Sequence, residues 1–137
     1  MRMQWIADYK TGIEAIDEHH ESIFERINEV LDALDQDAEV STIKRLLILF
    51  ESFLASHFAL EEMLQEKYVY PDFSSHFDEH KQLAKNFSGL IMHLESEGAS
   101  PYSNKSLKEL IASWWASYMA HMNSSDKQLA EFLKNRM

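Results

Sequence analysis

Two pairs of residues carry the chemistry of this sequence: His57 with Glu61 in HFALE, and His76 with His80 in HFDEH. Each pair is spaced by four, so on a helix both side chains share one face and can converge on a common ion. His20, His121 and Asp126 add donors of the same kind. Imidazole and carboxylate suit iron, zinc or manganese. The sequence has no cysteine, which excludes disulfides, thiolate zinc sites, iron–sulfur clusters, covalent c-type haem and cysteine nucleophiles. Any metal must be held by His, Asp and Glu.

These residues need elements to position them. Four segments carry apolar residues at alternating steps of three and four, which predicts helices over about 17–35, 41–68, 72–96 and 103–135, after an N-terminal extended arm of about 15 residues. The first stripe runs through Ile16, His20, Ile23, Ile27, Val30 and Leu34. The second is Ile43, Leu47, Phe50, Leu54, His57, Glu61, Leu64 and Tyr68, with Ser41 as the expected N-cap. Pro71 marks a turn before Phe73, His76, His80, Leu83, Phe87, Leu90 and Leu94. Gly98 and Pro101 are expected to end that helix and open a loop. The fourth stripe is Leu107, Ile111, Trp114, Tyr118 and His121. Short connections make the expected fold all-α: a single-domain antiparallel up-down-up-down four-helix bundle.

His57, Glu61, His76 and His80 therefore fall on seams otherwise filled by Leu, Ile and Phe, where a polar group without a partner costs several kcal/mol. A bound metal satisfies them; the bland alternative is a buried polar network without one. Depth supports the metal. In an antiparallel bundle the start of helix one, the end of helix two, the start of helix three and the later part of helix four share a level, and that level holds His20, His57, Glu61, His76, His80 and His121. Five histidines and two carboxylates exceed the needs of one ion. If Glu61 and Asp126 each bridge two ions along with one solvent-derived oxygen, and the histidines divide three and two, one ion has six ligands and the other five. The vacancy would be the functional position. Asp126 fits least well, because five residues beyond His121 turns about 140° round an ideal helix, so a local π-type widening is expected there.

The remainder narrows the function. In 137 residues, 45% apolar and 12% aromatic, there is material for one continuous core. The net charge of −10, from 13 basic and 23 acidic residues, disfavours nucleic acid and anionic lipid. Three glycines cannot assemble a phosphate loop or a dinucleotide fingerprint. With no membrane-length apolar run and no signal-peptide layout, a cytoplasmic location is expected, with a monomer as the default.

The ordered set of His20, then HFALE, YPDFSSHFDEH and HMNSSD, together with the N-terminal WIADYKTGIEAIDEHH, resembles the hemerythrin family, in particular its single-domain bacterial members. The resemblance covers nearly the whole chain. It implies two iron ions with an oxo or hydroxo bridge: His76, His80 and His121 on one, His20 and His57 on the other, Glu61 and Asp126 bridging. It further implies reversible binding of dioxygen without an external reductant, for storage, delivery or sensing. The runner-up is an enzyme, a di-iron oxidase, peroxidase or nitric-oxide-reactive protein using the same centre; a plain interaction bundle is the third reading. His19 stands where the family often has Gln and is expected beside the centre or at the surface, and His93 at the rim. Two positions of the oxygen pocket, commonly aliphatic in the family, are Tyr118 and Met122 here, and a neighbouring Trp is replaced by Ser117. A phenol there could hydrogen-bond a ligand or admit water.

Overall fold

The computed structural model describes residues 2–97 and 101–137. Its order is a 3-10 turn at Ala7–Tyr9, then α1 Glu14–Asp35, α2 Val40–Lys67, α3 Phe73–Glu97, α4 Pro101–His121, a π-helical turn Met122–Asp126 and α5 Lys127–Lys134. Among the described residues there is no strand. Successive helices pack against one another and α1 also meets α4, which closes an antiparallel four-helix bundle.

Local chemistry sets the helix ends. α1 begins three residues earlier than Asp17, because the Asp17 carboxylate folds back to accept from the Thr11 and Gly12 backbone N–H groups at 2.7 and 3.1 Å and from the Thr11 hydroxyl at 2.8 Å. Gly12 sits at φ +93°, a conformation that favours glycine. Ser41 is not the N-cap of α2: Glu39 is, with no side-chain cap, and Ser41 lies inside the first turn. α1 and α2 both end in the same motif. Ala38 N–H bonds the Ala33 carbonyl and Asp37 N–H that of Leu34; Tyr70 N–H bonds Gln65 and Val69 N–H bonds Glu66. The left-handed residue is Asp37 (φ 52°) in one and Val69 (φ 54°) in the other. Pro101 opens α4 instead of a loop, a first-turn position where its missing N–H costs nothing. The expected stop at Gly98 lies outside the described residues.

The arm runs along α1. Asn28 holds it, its side-chain amide donating to the Met3 carbonyl at 2.8 Å and its oxygen accepting from Met3 N–H at 2.7 Å. Trp5 and Tyr9 pack on Phe24 with ring centroids 5.2 and 5.6 Å away. Phe50, Phe87 and Trp114, which lie on the predicted stripes, belong to the main apolar core, and so does Phe24.

Among the described residues that core is one of two. The larger cluster fills the bundle from Leu34 and Ile43 to Phe58, Tyr118 and Met122; a smaller one joins Ile13, Ile16, Leu64, Tyr70, Leu129 and Leu133 at the other end. Along α1 the order is Ile16, His20, Ile23, and along α2 it is Phe58, Glu61, Leu64. A polar layer thus lies between two apolar ones. Among the described residues no helix is long and apolar enough to cross a membrane.

Candidate metal centre

Each helix sends its polar seam residues into that layer. α1 supplies His20, α2 supplies His57 and Glu61, α3 supplies His76 and His80, α4 ends on His121, and the π turn carries Asp126. All seven are at most 4% exposed. The π turn is what admits Asp126: the widened turn returns a residue five steps on to the face of His121, and the Ser124 hydroxyl donates to the Ala120 carbonyl at 2.6 Å within it.

The donor atoms form two overlapping groups, each drawn together within 4.8 Å. One contains Glu61, His76, His80, His121 and Asp126; the other contains His20, His57, Glu61 and Asp126. The carboxylates are common to both. Glu61 Oε1 lies 3.0 Å from His76 Nε2 and 3.1 Å from His80 Nε2, while its Oε2 lies 2.9 Å from His57 Nε2. Asp126 Oδ1 lies 2.9 Å from His121 Nε2 and 3.1 Å from His76 Nε2, and its Oδ2 is 2.9 Å from His20 Nε2.

Several of these close approaches are not hydrogen bonds. His57 Nε2, His121 Nε2, Glu61 Oε2 and Asp126 Oδ1 are all buried without a hydrogen-bond partner, although each has an opposite atom at 2.9 Å. Orphaned polar atoms at such depth are costly, and a cation between them removes the cost. The donor set fits a metal.

Residues 11–133 match the family model described as "Hemerythrin HHE cation binding domain". The chain belongs to the hemerythrin family. It is 28% identical to a bacteriohemerythrin of Pseudomonas aeruginosa over 133 residues, which covers 97% of this chain and 82% of that one. It is also 24% identical to a bacteriohemerythrin of Stenotrophomonas maltophilia over 130 residues, covering 95% and 80%.

The electrostatics of this hemerythrin domain follow from two buried carboxylates. Burial alone would raise Glu61, but His57, His20 and His76 hold it well below the usual range. Burial and the Glu61 charge push Asp126 up, and His121 and His20 outweigh them, so it too is lowered. The imidazoles answer in kind. Burial pulls His20 and His76 down, yet their bonds to Asp126 and Glu61 push each up to about 9. His121 is raised despite its burial, mainly by Asp126. Without metal, protons supply the positive charge that the carboxylates demand.

Acids behind the histidines aim them. Glu62 accepts from His80 Nδ1 at 2.7 Å, and Glu79 accepts from His121 Nδ1 at 2.8 Å and from the Ser125 hydroxyl at 2.7 Å. With Nδ1 so occupied, each Nε2 presents a lone pair to the layer. Phe58 stacks on the His80 ring at 4.0 Å. Sequence reasoning missed Glu62 and Glu79, although each adjoins a singled-out residue, Glu61 or His80. His19 lies beside the centre, half-buried, with Nδ1 3.2 Å from His57 Nδ1. Burial, then the charges of His57 and His20, lower it. His93 stays outside the cluster.

Tyr118 and Met122 are completely buried. The Tyr118 ring stacks on Trp114 at 5.5 Å and meets His20 edge-on, with centroids 6.4 Å apart. Its hydroxyl has no hydrogen-bond partner. Burial, aided by Asp126 and Glu61, keeps the phenol protonated, far above its ordinary range. Ser117 borders a groove of about 330 Å³ between α3 and α4 that reaches Leu83, Ala120 and His121.

Proposed function

We propose that this hemerythrin domain binds dioxygen reversibly at a non-haem di-iron centre, with His76, His80 and His121 on one ion, His20 and His57 on the other, and Glu61 and Asp126 between them. The observation that carries this reading is the division of the donors into two groups that share both carboxylates, three histidines on one side and two on the other. Two ferrous ions held by these seven residues would supply reversible two-electron chemistry toward dioxygen, one electron from each ion.

The chain does the rest. Glu62 and Glu79 fix the tautomers of His80 and His121, so the donor atoms are oriented before any ion arrives. Glu61 and Asp126 bring two negative charges that would offset half of the four positive charges of two ferrous ions. The apolar layers on either side keep bulk water from the site; Phe58, Tyr118 and Met122 form its wall on one side, and Leu64, Tyr70 and Leu129 on the other. Water is excluded because it promotes irreversible loss of electrons to a bound oxidant.

A second reading, an oxidase, peroxidase or nitric-oxide-reactive enzyme at the same centre, is favoured by one observation: the Tyr118 hydroxyl puts a proton donor into a wall that is otherwise apolar. One experiment separates the readings. Anaerobic reconstitution with ferrous iron, followed by cycles of oxygen addition and removal under a visible spectrometer, is expected to show about two irons per chain and a charge-transfer band that appears and vanishes with oxygen. A band that decays once and does not return supports the enzyme; failure to take up iron refutes both.

A further inference from the structure

A buried hydroxyl without a partner is expensive, on the order of 1–3 kcal/mol, and native proteins seldom tolerate one without a use. Tyr118 carries such a hydroxyl. Its ring is held by two indoles: it stacks on Trp114 with an interplanar angle of 3° and packs at 5.2 Å against Trp115. Its contact with the donor layer is with His20, which belongs to the smaller donor group. That group has four donors against five, so it is the side with room for a further ligand. Asp126 and Glu61, the acids common to both groups, bear electrostatically on the phenol. Neither accepts its hydrogen bond.

We propose that Tyr118 is a specificity-determining residue whose hydroxyl donates a hydrogen bond to the small exogenous ligand on the His20 and His57 side, selecting ligands that present a lone pair and negative charge there. This rests on the metal reading given above. The ligand class is the small linear or bent anion, such as azide or nitrite, and dioxygen once it has gained electron density. Uncharged diatomics with weak acceptor atoms gain little. Trp114 on α4 and Met122 in the π turn are buried, and neither competes for the bond: Trp114 Nε1 is already spent on the Leu83 carbonyl at 2.9 Å, and the Met122 side chain carries no N–H or O–H.

The test compares the full chain with Tyr118→Phe, which removes one atom and keeps the ring. Loss of the unpartnered hydroxyl predicts metal-free Tyr118→Phe at least as heat-stable as the parent, a result that a purely structural role for the hydroxyl would reverse. Both proteins are loaded with iron, oxidised, assayed for iron per chain and titrated with azide. The expected result is equal iron content and about tenfold weaker azide binding in Tyr118→Phe, the effect of one hydrogen bond to a charged acceptor. In addition, the azide infrared stretch is expected to shift in deuterated buffer in the parent and not in the variant. Equal azide affinity with equal iron content overturns the proposal alone, as does a deuterium shift that survives in the variant. A parent chain that takes up no iron overturns the metal reading and this proposal with it. Should Tyr118→Phe fold poorly, the deuterium shift in the parent decides by itself: no shift means no hydrogen bond.

Discussion

Glu79 is 45% exposed at the side chain and hydrogen-bonds the inner layer at His121. Its work is to fix that ring and make it a better donor. Outer partners of this kind commonly contribute ten- to a hundredfold to metal affinity. Glu79→Ala is therefore expected to speed iron loss to a chelator by about tenfold, with helicity unchanged, because solvent can replace the carboxylate at the rim. Glu61 is the opposite case. It is wholly buried and lies within 3.5 Å of four histidine nitrogens. Glu61→Gln keeps the shape and removes the charge that the two proposed ions and the three raised imidazoles would share. Elemental analysis after reconstitution is expected to find well under one iron per chain, against about two in the parent. Retention of two irons would mean that Glu61 is no bridge.

At the scale of elements, the turn between α2 and α3 stores strain that the site does not need. Val69 is β-branched, sits at φ 54° and is 80% exposed, so it contributes no packing to offset a left-handed conformation. Val69→Gly is expected to raise the urea midpoint by the equivalent of about 0.5–1 kcal/mol, the relief of strain exceeding the added freedom of the unfolded chain. A lowered midpoint would show that the turn is relaxed as it stands. Helices and seams were legible in the sequence because period and burial agree: His57, Glu61, His76 and His80 interrupt apolar stripes, and the structure puts each of them at the interior of its helix face. Asp126 was legible only as a misfit, five residues after His121, and the π turn resolves that misfit. Helix starts were less legible. Ser41 looked like a cap by residue type, yet α2 starts one residue before it; Asp17 looked like a helix start and instead caps residues upstream. Capping depends on where the backbone enters, which the stripe alone does not specify. Glu62 and Glu79 were hidden for a different reason: an acid on the outer flank of a helix reads as a solvated charge until a neighbouring helix brings a histidine to it.

For the whole molecule, the polar layer between two apolar ones makes stability depend on what supplies its positive charge. Without metal, His20 and His76 are raised to about 9 from an ordinary 6.5, so their contribution is fully present below pH 6.5 and is lost as pH rises through about 9. Glu61 and Asp126 are lowered, so theirs is present above the ordinary carboxylate range of about 4 and is lost only as pH falls below it. The metal-free chain is therefore expected to be most stable between about pH 5 and 6.5 and to weaken toward pH 9 by an amount on the order of a few kcal/mol. Metal reverses the alkaline limb. Bound imidazoles are neutral and need no proton, so the loaded chain gains relative to the metal-free one as pH rises, and its own weak side is acid, where protons displace the ions. Urea unfolding at pH 6, 7.5 and 9, with iron and with chelator, measures both limbs. The gap between the two forms is expected to widen steadily from pH 6 to 9; a gap that stays constant across that range would mean that protons and metal do not compete for the same nitrogens, and that the seven residues are not one site.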